Sequence, residues 1–406
     1  MSVVPLRLAL VVPSLELGGG VPSVAKFVLR TALDHGVKVK LISLATSSVD
    51  PANSHLLQWR SWIKGPSVRH GQWQGYPFVH LGAALGEFEF QRYRRRSILT
   101  HAVADCDVVQ VVAGSPAWAN ALVDCHKPVA LQVATRAIVE RRRRDARPRA
   151  VAGWWRKAMT EITNRLDDRA LQLVDAIQLE NPWMLEYSRQ INAGRAQVDI
   201  RYAPPGVDTV RFCPSPTRDL GTAPYILCVG RLDDPRKSVD LLLDAFAQMP
   251  AHLGRVKLVT AGLGKPPVAY WERAKSLGLQ NRVVHVHRPT TEELVKLYQG
   301  ATAFCLTSNE EGLGIVILEA MACGIPVVAT RCGGPDGIIQ EGHDGYLCSL
   351  IDGQEIGNRL AQLCSEPALN LRMGQAARRT ICARYANEVT GKGFVDTWQR
   401  LAARRT

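Results

Sequence analysis

Two carboxylates and two cations stand out as residues that could do chemistry. Glu311 and Glu319 bracket the glycine corner Gly312-Leu313-Gly314-Ile315, eight positions apart. Arg231 and Lys237 follow another short apolar run, Tyr225 to Val229. The first corner is preceded by Ala303-Phe304-Cys305-Leu306, which reads as the end of a buried strand, and is followed by an apolar, helix-permissive segment. A strand, a glycine turn and a helix start near Gly314 would put unpaired backbone N–H groups and the positive end of a helix dipole at one point. Phosphate binds at such points. The same stretch also reads as an ordinary strand–loop–helix with solvated acids. The cations decide between the two, because a diphosphate needs positive charge and sugar hydroxyls need a carboxylate.

These residues need a scaffold, and the second half of the chain supplies a regular one. Strands are expected at 225–229, 256–260, 283–286, 303–306 and 326–329, with helical spacing between them. A helix is expected from about Thr291, with Thr291 as its N-cap. Each strand runs out into glycine plus a polar or charged residue: Gly230-Arg231, Gly262-Leu263-Gly264, His287-Arg288, Ser308 to Gly314 and Gly333-Gly334. Ligands bind at that end of an open parallel sheet.

The first half opens in the same way. Leu8 to Val12 reads as a strand, Gly18-Gly19-Gly20 as a turn, Val24 to Ala32 as a helix and Val37 to Leu44 as the next strand. The three glycines serve either a flexible turn or a close backbone approach to phosphate or sugar. Residues 47–97 read as an irregular region with one or two helices. Further strands are expected at 108–112, 129–133, 171–179 and 198–202. The Pro-rich stretch from Ala203 to Pro216 reads as a linker.

A chain of 406 residues at 46% hydrophobic composition has room for two or three domains with ample cores. The ten cysteines form no C-x-x-C pair and sit mostly in apolar runs, which argues for reduced thiols and against zinc or a disulfide framework. No window approaches the ~18 apolar residues of a membrane span. The N-terminal apolar run is too short for a leader. The expectation is a cytoplasmic protein. The net charge of +13 favours anionic partners. Much of it lies in residues 136–157, with nine Arg or Lys against two acids, and Trp154-Trp155 within it. Arg141 to Lys157 reads either as a solvated basic segment or as a peripheral contact with an anionic membrane surface. Neither interleaved aromatics on a sheet nor a recognition-helix signature is present, so nucleic acid is not expected as a partner.

The second half resembles the retaining nucleotide-sugar glycosyltransferases of family 4, the glycosyl transferases of group 1. Val229-Gly230-Arg231-Leu232 with Lys237 and Leu241 to Phe246 is similar to that family's G-R-L…K…L-L-x-A-F segment. Glu311-Gly312-Leu313-Gly314 through Glu319-Ala320-Met321-Ala322-Cys323-Gly324-Ile325-Pro326-Val327-Val328 is similar to its E-G-F-G…E-A-M-A-C-G-x-P-V-V block. The strong motifs cover roughly 203–348, while the first half matches in its opening loop and general plan. The resemblance implies an α/β protein of GT-B fold, two Rossmann-like doubly wound domains facing across a cleft. The N-terminal acceptor-side domain would be 1–208, joined by the C-terminal helix 390–406, and the nucleotide-sugar domain 216–389.

It also implies roles. Arg231, Lys237 and Glu311 would be catalytic, the cations on the donor diphosphate and Glu311 on the transferred sugar. Backbone amides of Leu313 to Val316 would hold phosphate and sugar, so that Gly312, Leu313, Gly314 and Ile315 line the donor. Glu319 would hold the ribose, Arg288 would lie by the base, and Gly18, Gly19 and Gly20 would close over the donor. Transfer would proceed with retention, to a glycan, lipid-linked or small-molecule acceptor, and without a bound metal or other cofactor. Three positions depart from the pattern. Ala134-Thr135 stand where many relatives carry a histidine, His287 where a glycine is usual, and Ser238 where a glycine follows the lysine. The first departure keeps a second reading open, a non-catalytic GT-B-like protein that binds nucleotide or glycan.

Overall fold

The structure is a computed structural model and describes residues 5–13, 15, 19–145, 150–195, 198–216 and 224–404. Gly18, Arg147 and Arg149 lie outside the described residues. The chain divides into two units, Met1–Pro205 with Thr390–Thr406, and Gly206–Val389.

The first unit holds eight described strands: β1 (Arg7–Pro13), β2 (Lys38–Leu44), β3 (Val68–Trp73), β4 (Tyr76–Leu81), β5 (Val108–Ala113), β6 (Val129–Val133), β7 (Ala176–Leu179) and β8 (Asp199–Tyr202). They form one sheet in the order β3-β4-β2-β1-β5-β6-β7-β8. All neighbours are parallel except β3 and β4. Strand β1 is apolar on both faces because helices cover both. The helix Gly20–Asp34 packs Phe27 against Phe394 at 5.4 Å, and Trp398 donates its indole N–H to Gln110 Oε1 at 2.7 Å. The end of the chain is thereby pinned to this sheet by the C-terminal part of the helix Asn387–Ala403.

Two expectations need correction here. Residues 47–97 are not merely irregular, because they contain the hairpin β3–β4. Its turn, Gln74-Gly75, has positive φ at both residues (52° and 76°), the geometry of a two-residue hairpin loop. The strand expected over 171–179 begins only at Ala176, since the helix Ala150–Leu173 takes the first three residues. A run of apolar residues does not by itself separate the end of a buried helix from the strand behind it.

The second unit holds β9 (Tyr225–Val229), β10 (Lys257–Gly262), β11 (Val283–His287), β12 (Ala303–Leu306), β13 (Val327–Thr330) and β14 (Gly345–Cys348). They form an all-parallel sheet in the order β11-β10-β9-β12-β13-β14. Alternate residues of β9 serve two cores, one per face. Leu227 and Val229 pack with the helices Thr291–Gly300 and Ile315–Ala322. Ile226 and Cys228 pack with Val239–Ala247 and Gly353–Ser365. The helix from Thr291 is capped one residue earlier than expected. Thr290 accepts from the Glu293 amide, and Glu293 answers to the Thr290 amide, a reciprocal box that Thr291 has no partner to make. Within the Pro-rich stretch, Val207 and Phe212 are buried in this unit's core, and Arg378 donates to the carbonyls of Thr209 and Phe212. All ten cysteines are free thiols, seven of them buried.

Candidate active site

Strand order decides where a site can form in the second unit. Counting from β9, the sheet grows outward through β10 and β11 on one side and through β12 to β14 on the other. The chain reverses direction of growth between β9 and β12, and loops leaving these neighbours part to either side of a crevice. The loop after β9 carries Gly230 to Ser238, and the loop after β12 carries Thr307 to Gly314.

The two loops are laced together. Thr307 Oγ1 donates to the Lys237 carbonyl at 3.0 Å, and the Asn309 amide to the Arg236 carbonyl at 2.7 Å. Lys237 Nζ is ion-paired with Glu311 Oε1, and both side chains keep about a sixth of their surface (17% and 14%) open to solvent. Ser308, fully buried, donates to the same Glu311 oxygen at 2.5 Å. Arg231 is half-exposed and reaches Asp234 at 3.1 Å, while Arg236 spans Asp234 (2.8 Å) and Glu310 (3.4 Å). Ser238, in the position where a glycine is usual, has φ 45°, the left-handed conformation that glycine adopts without strain.

A third loop, after β13, supports the corner from behind. The Glu311 amide donates to Cys332 O and the Gly334 amide to Glu311 O, both at 3.0 Å. Gly334 lies so close that a Cβ there would stand 2.3 Å from the Leu313 carbonyl oxygen. Gly314, at φ 87°, then turns the chain into the helix Ile315–Ala322. That helix's first-turn amides lack carbonyl partners within the helix itself.

Glu319 is placed differently from Glu311. It accepts the Tyr298 hydroxyl at 2.7 Å, and burial pushes its carboxyl up to about 7, with the tyrosine bond opposing. Tyr298 itself is fully buried. Arg288 sits at the end of β11, exposed, at φ 50°, with its amide on Gly262 O at 2.8 Å. Thus Arg231, Lys237, Glu311, Gly312, Leu313, Gly314 and Ile315 gather at the β9/β12 reversal, with Glu319 one helical turn further on and Arg288 at the end of β11 beyond β10. Gly19 (φ 131°) and Gly20 lie in the other unit, at the start of the helix after β1. Sequence reasoning missed Ser308, Arg236 and Tyr298 as partners. Ser308 was visible, three residues before Glu311. Tyr298 was not, because its pairing with Glu319 depends on two helices packing on one sheet face.

The basic stretch of the first unit is not a uniform surface. Arg136 is buried, bonded to Asp168 at 2.5 Å and stacked on the Tyr187 ring at 4.1 Å. Arg141 pairs with Glu89. Both therefore hold the fold, and among the described residues of the stretch Arg142, Arg156 and Lys157 are exposed. At the histidine-less position, the Ala134 carbonyl accepts from Asn181 Nδ2 at 2.7 Å and the Thr135 amide donates to Gly114 O at 3.2 Å.

Two doubly wound sheets on one chain define the GT-B fold. The structure of sucrose-phosphate synthase from Thermosynechococcus elongatus matches it over 98% of this chain and all of that one (TM-score 0.74, 18% identity). Anabaena HepE, solved with UDP and glucose, matches over 97% of this chain and all of its own (TM-score 0.71, 16% identity). Residues 216–380, within the second unit, match the family described as "Glycosyl transferases group 1". Among curated relatives, the GDP-mannose-dependent alpha-(1-6)-phosphatidylinositol monomannoside mannosyltransferase of Mycolicibacterium smegmatis is 33% identical over 229 residues. That alignment takes in 50% of this chain and 60% of the relative, so the match spans little more than half of that protein.

Proposed function

We propose that the protein is a retaining glycosyltransferase that moves a sugar from a nucleoside diphosphate to a glycan, lipid-linked or small-molecule acceptor. The observation that carries this reading is the Lys237–Glu311 pair at the β9/β12 reversal, beside the start of the helix Ile315–Ala322. Lys237 and Arg231 stabilise the charge that grows on the leaving diphosphate, with the helix N-terminus adding its partial charge. Glu311, held by Ser308, faces the transferred sugar. Glu319 takes the ribose hydroxyls and Arg288 lies by the base. The leaving phosphate takes the acceptor's proton, and this chemistry calls on no metal ion. The named activity of the mannosyltransferase relative and the UDP and glucose bound to HepE support a nucleotide-sugar donor.

A non-catalytic nucleotide- or glycan-binding protein is the second reading. It is favoured by the lack of a histidine at Ala134-Thr135. The protein works in the cytoplasm, touching the inner face of a membrane through the exposed cations of the basic stretch, Arg142, Arg156 and Lys157. No described helix is long and apolar enough to cross one. The test is a panel of uridine-, guanosine- and adenosine-diphosphate sugars, read first by thermal shift and then by turnover. A donor raises Tm and is consumed, and Glu311→Ala abolishes consumption. Stabilisation by a nucleotide sugar with no turnover against any acceptor would favour the second reading. Turnover unchanged in Glu311→Ala would overturn the first.

A further inference from the structure

Among the exposed large apolar side chains of the first unit, six fall in two groups of three on helices. Trp59, Trp62 and Ile63 are 66%, 55% and 77% exposed, and Val151, Trp154 and Trp155 are 85%, 62% and 53% exposed. Both groups fall on helices, Trp59–Lys64 and Ala150–Leu173. Both have the same spacing, i, i+3 and i+4, so each makes a single apolar stripe. A stripe of this kind normally faces a core. Here both face outward, and cations lie over them. Arg60 is 5.5 Å from the Trp59 ring, and Lys157 is 5.7 Å from the Trp154 ring. Lys64 and Arg156 are exposed beside them.

The two stripes belong to one side of the sheet. The helix Ala150–Leu173 ends just before β7, so it descends antiparallel to the strands. Asp167 marks where it passes the sheet's C-terminal edge, because its carboxylate accepts from Ser115 and Ala137, the residues just beyond β5 and β6. Trp154 and Trp155 come twelve to thirteen residues earlier, which places them ~18–20 Å further out at the α-helical rise. The helix Trp59–Lys64 lies in the connection leaving β2 at the same edge. It is tied toward the basic stretch by consecutive contacts. Trp62 Nε1 donates to His55 O at 2.8 Å, His55 meets Glu87 at 3.2 Å, and Glu89, two residues on, pairs with Arg141.

We propose that the two stripes together form a docking face for an anionic lipid bilayer, with the tryptophans seated at the level of the head groups and Arg60, Lys64, Arg156 and Lys157 on lipid phosphates. Aromatic residues with one wet edge suit that depth, and Trp62 already has its N–H satisfied by the protein. A second copy of this chain fits less well, since two molecules of net charge +13 repel. This deepens the membrane contact proposed above by adding the segment 59–63, to which sequence reasoning gave no role.

The experiment is vesicle sedimentation with the full chain and no donor present. Vesicles of phosphatidylcholine containing phosphatidylglycerol should pellet the protein. Trp59→Ser/Trp62→Ser and Trp154→Ser/Trp155→Ser should each weaken binding by ~10-fold, and the four substitutions together should remove it. Unchanged Tm in these variants, expected for exposed positions, keeps the reading clear of misfolding. Tryptophan emission of the parent should be quenched by lipids brominated near the head group. Binding that ignores the substitutions, or that moves to RNA instead of vesicles, overturns the proposal. Because no turnover is read, failure here leaves the glycosyltransferase reading intact. An inactive enzyme that still pellets leaves this one intact.

Discussion

The two sheets wind in the same way and differ at their edges. In the second unit the reversal lies between β9 and β12, and in the first between β1 and β5. At β9/β12 the charged groups are held in pairs with part of their surface open, as Lys237 and Glu311 are. At the corresponding edge of the first unit, Asp167 is fully buried and spends its oxygens on Ser115 Oγ (2.5 Å), the Ala117 amide (2.8 Å) and the Ala137 amide (2.8 Å). Topology therefore offers the same crevice twice. What separates a reactive edge from a structural one is whether its polar groups remain reachable after the fold has used them.

The largest expected effect tests the reachable side. Lys237→Ala removes a cation aimed at developing negative charge and should lower turnover by ~10²–10³-fold. The pair is partly solvated, so Tm should move little. A large fall in Tm with turnover preserved would make the pair structural and erase the contrast. Next is a glycine comparison. Gly334→Ala places a Cβ against the Leu313 carbonyl and should displace the helix N-terminal corner, weakening donor affinity by ~10-fold, which is about 1.4 kcal/mol. Gly20, by contrast, has open space where a Cβ would go. Gly20→Ala should fold normally, so any loss of turnover in that variant reports on a ligand and not on packing. Equal unfolding by both variants would break the comparison.

Asp167→Ala tests the structural side. It leaves two backbone amides and a hydroxyl without their acceptor in the interior, a loss of about 3 kcal/mol. Tm should fall by roughly 6–12 °C, measured by calorimetry. Asp167→Asn keeps one acceptor oxygen and should recover part of the loss.

The same difference explains what could be read in advance. The β9/β12 edge was legible because its residues are contiguous: Gly230-Arg231 to Lys237 and Ser308 to Ile315 each lie in one short loop directly after an apolar run. The first unit's edge was not. Asp167 sits mid-helix, 52 residues from Ser115, and nothing local distinguishes it from a solvated acid. Arg136 and Arg141 read as surface charge for the same reason, since their partners Asp168 and Glu89 are distant in sequence. The β3–β4 hairpin was hidden by its turn, Gln74-Gly75, which lacks the asparagine or aspartate that usually signals one. The stripe Trp59-Trp62-Ile63 lay in a region that read only as irregular, and its exposure on a helix is what gives it a meaning.

Glu180 gives the smallest effect and the finest division between the two edges. It lies at the end of β7, 4% exposed, with Gln132 Nε2 donating to it at 3.1 Å. Nearby, Gln132 Oε1 and both amide atoms of Gln178 are buried without a partner among the described residues. Burial pushes the Glu180 carboxyl up to about 7, opposed in part by Gln132. An acid raised in this way binds its proton more tightly folded than unfolded. Its contribution to stability is fully present below the ordinary carboxylate value and is lost as pH rises through about 7. Tm of the parent should therefore fall between pH 5 and pH 8. Glu180→Gln keeps the shape and has no proton to lose, so its Tm should fall less over the same range. The slope should not vanish, because Asp167 and Glu319 are raised to about 6 and about 7 by the same cause. Identical slopes for parent and variant would mean that Glu180 stays charged in the fold, and the buried edge of the first unit would then hold an ion as the second unit's does.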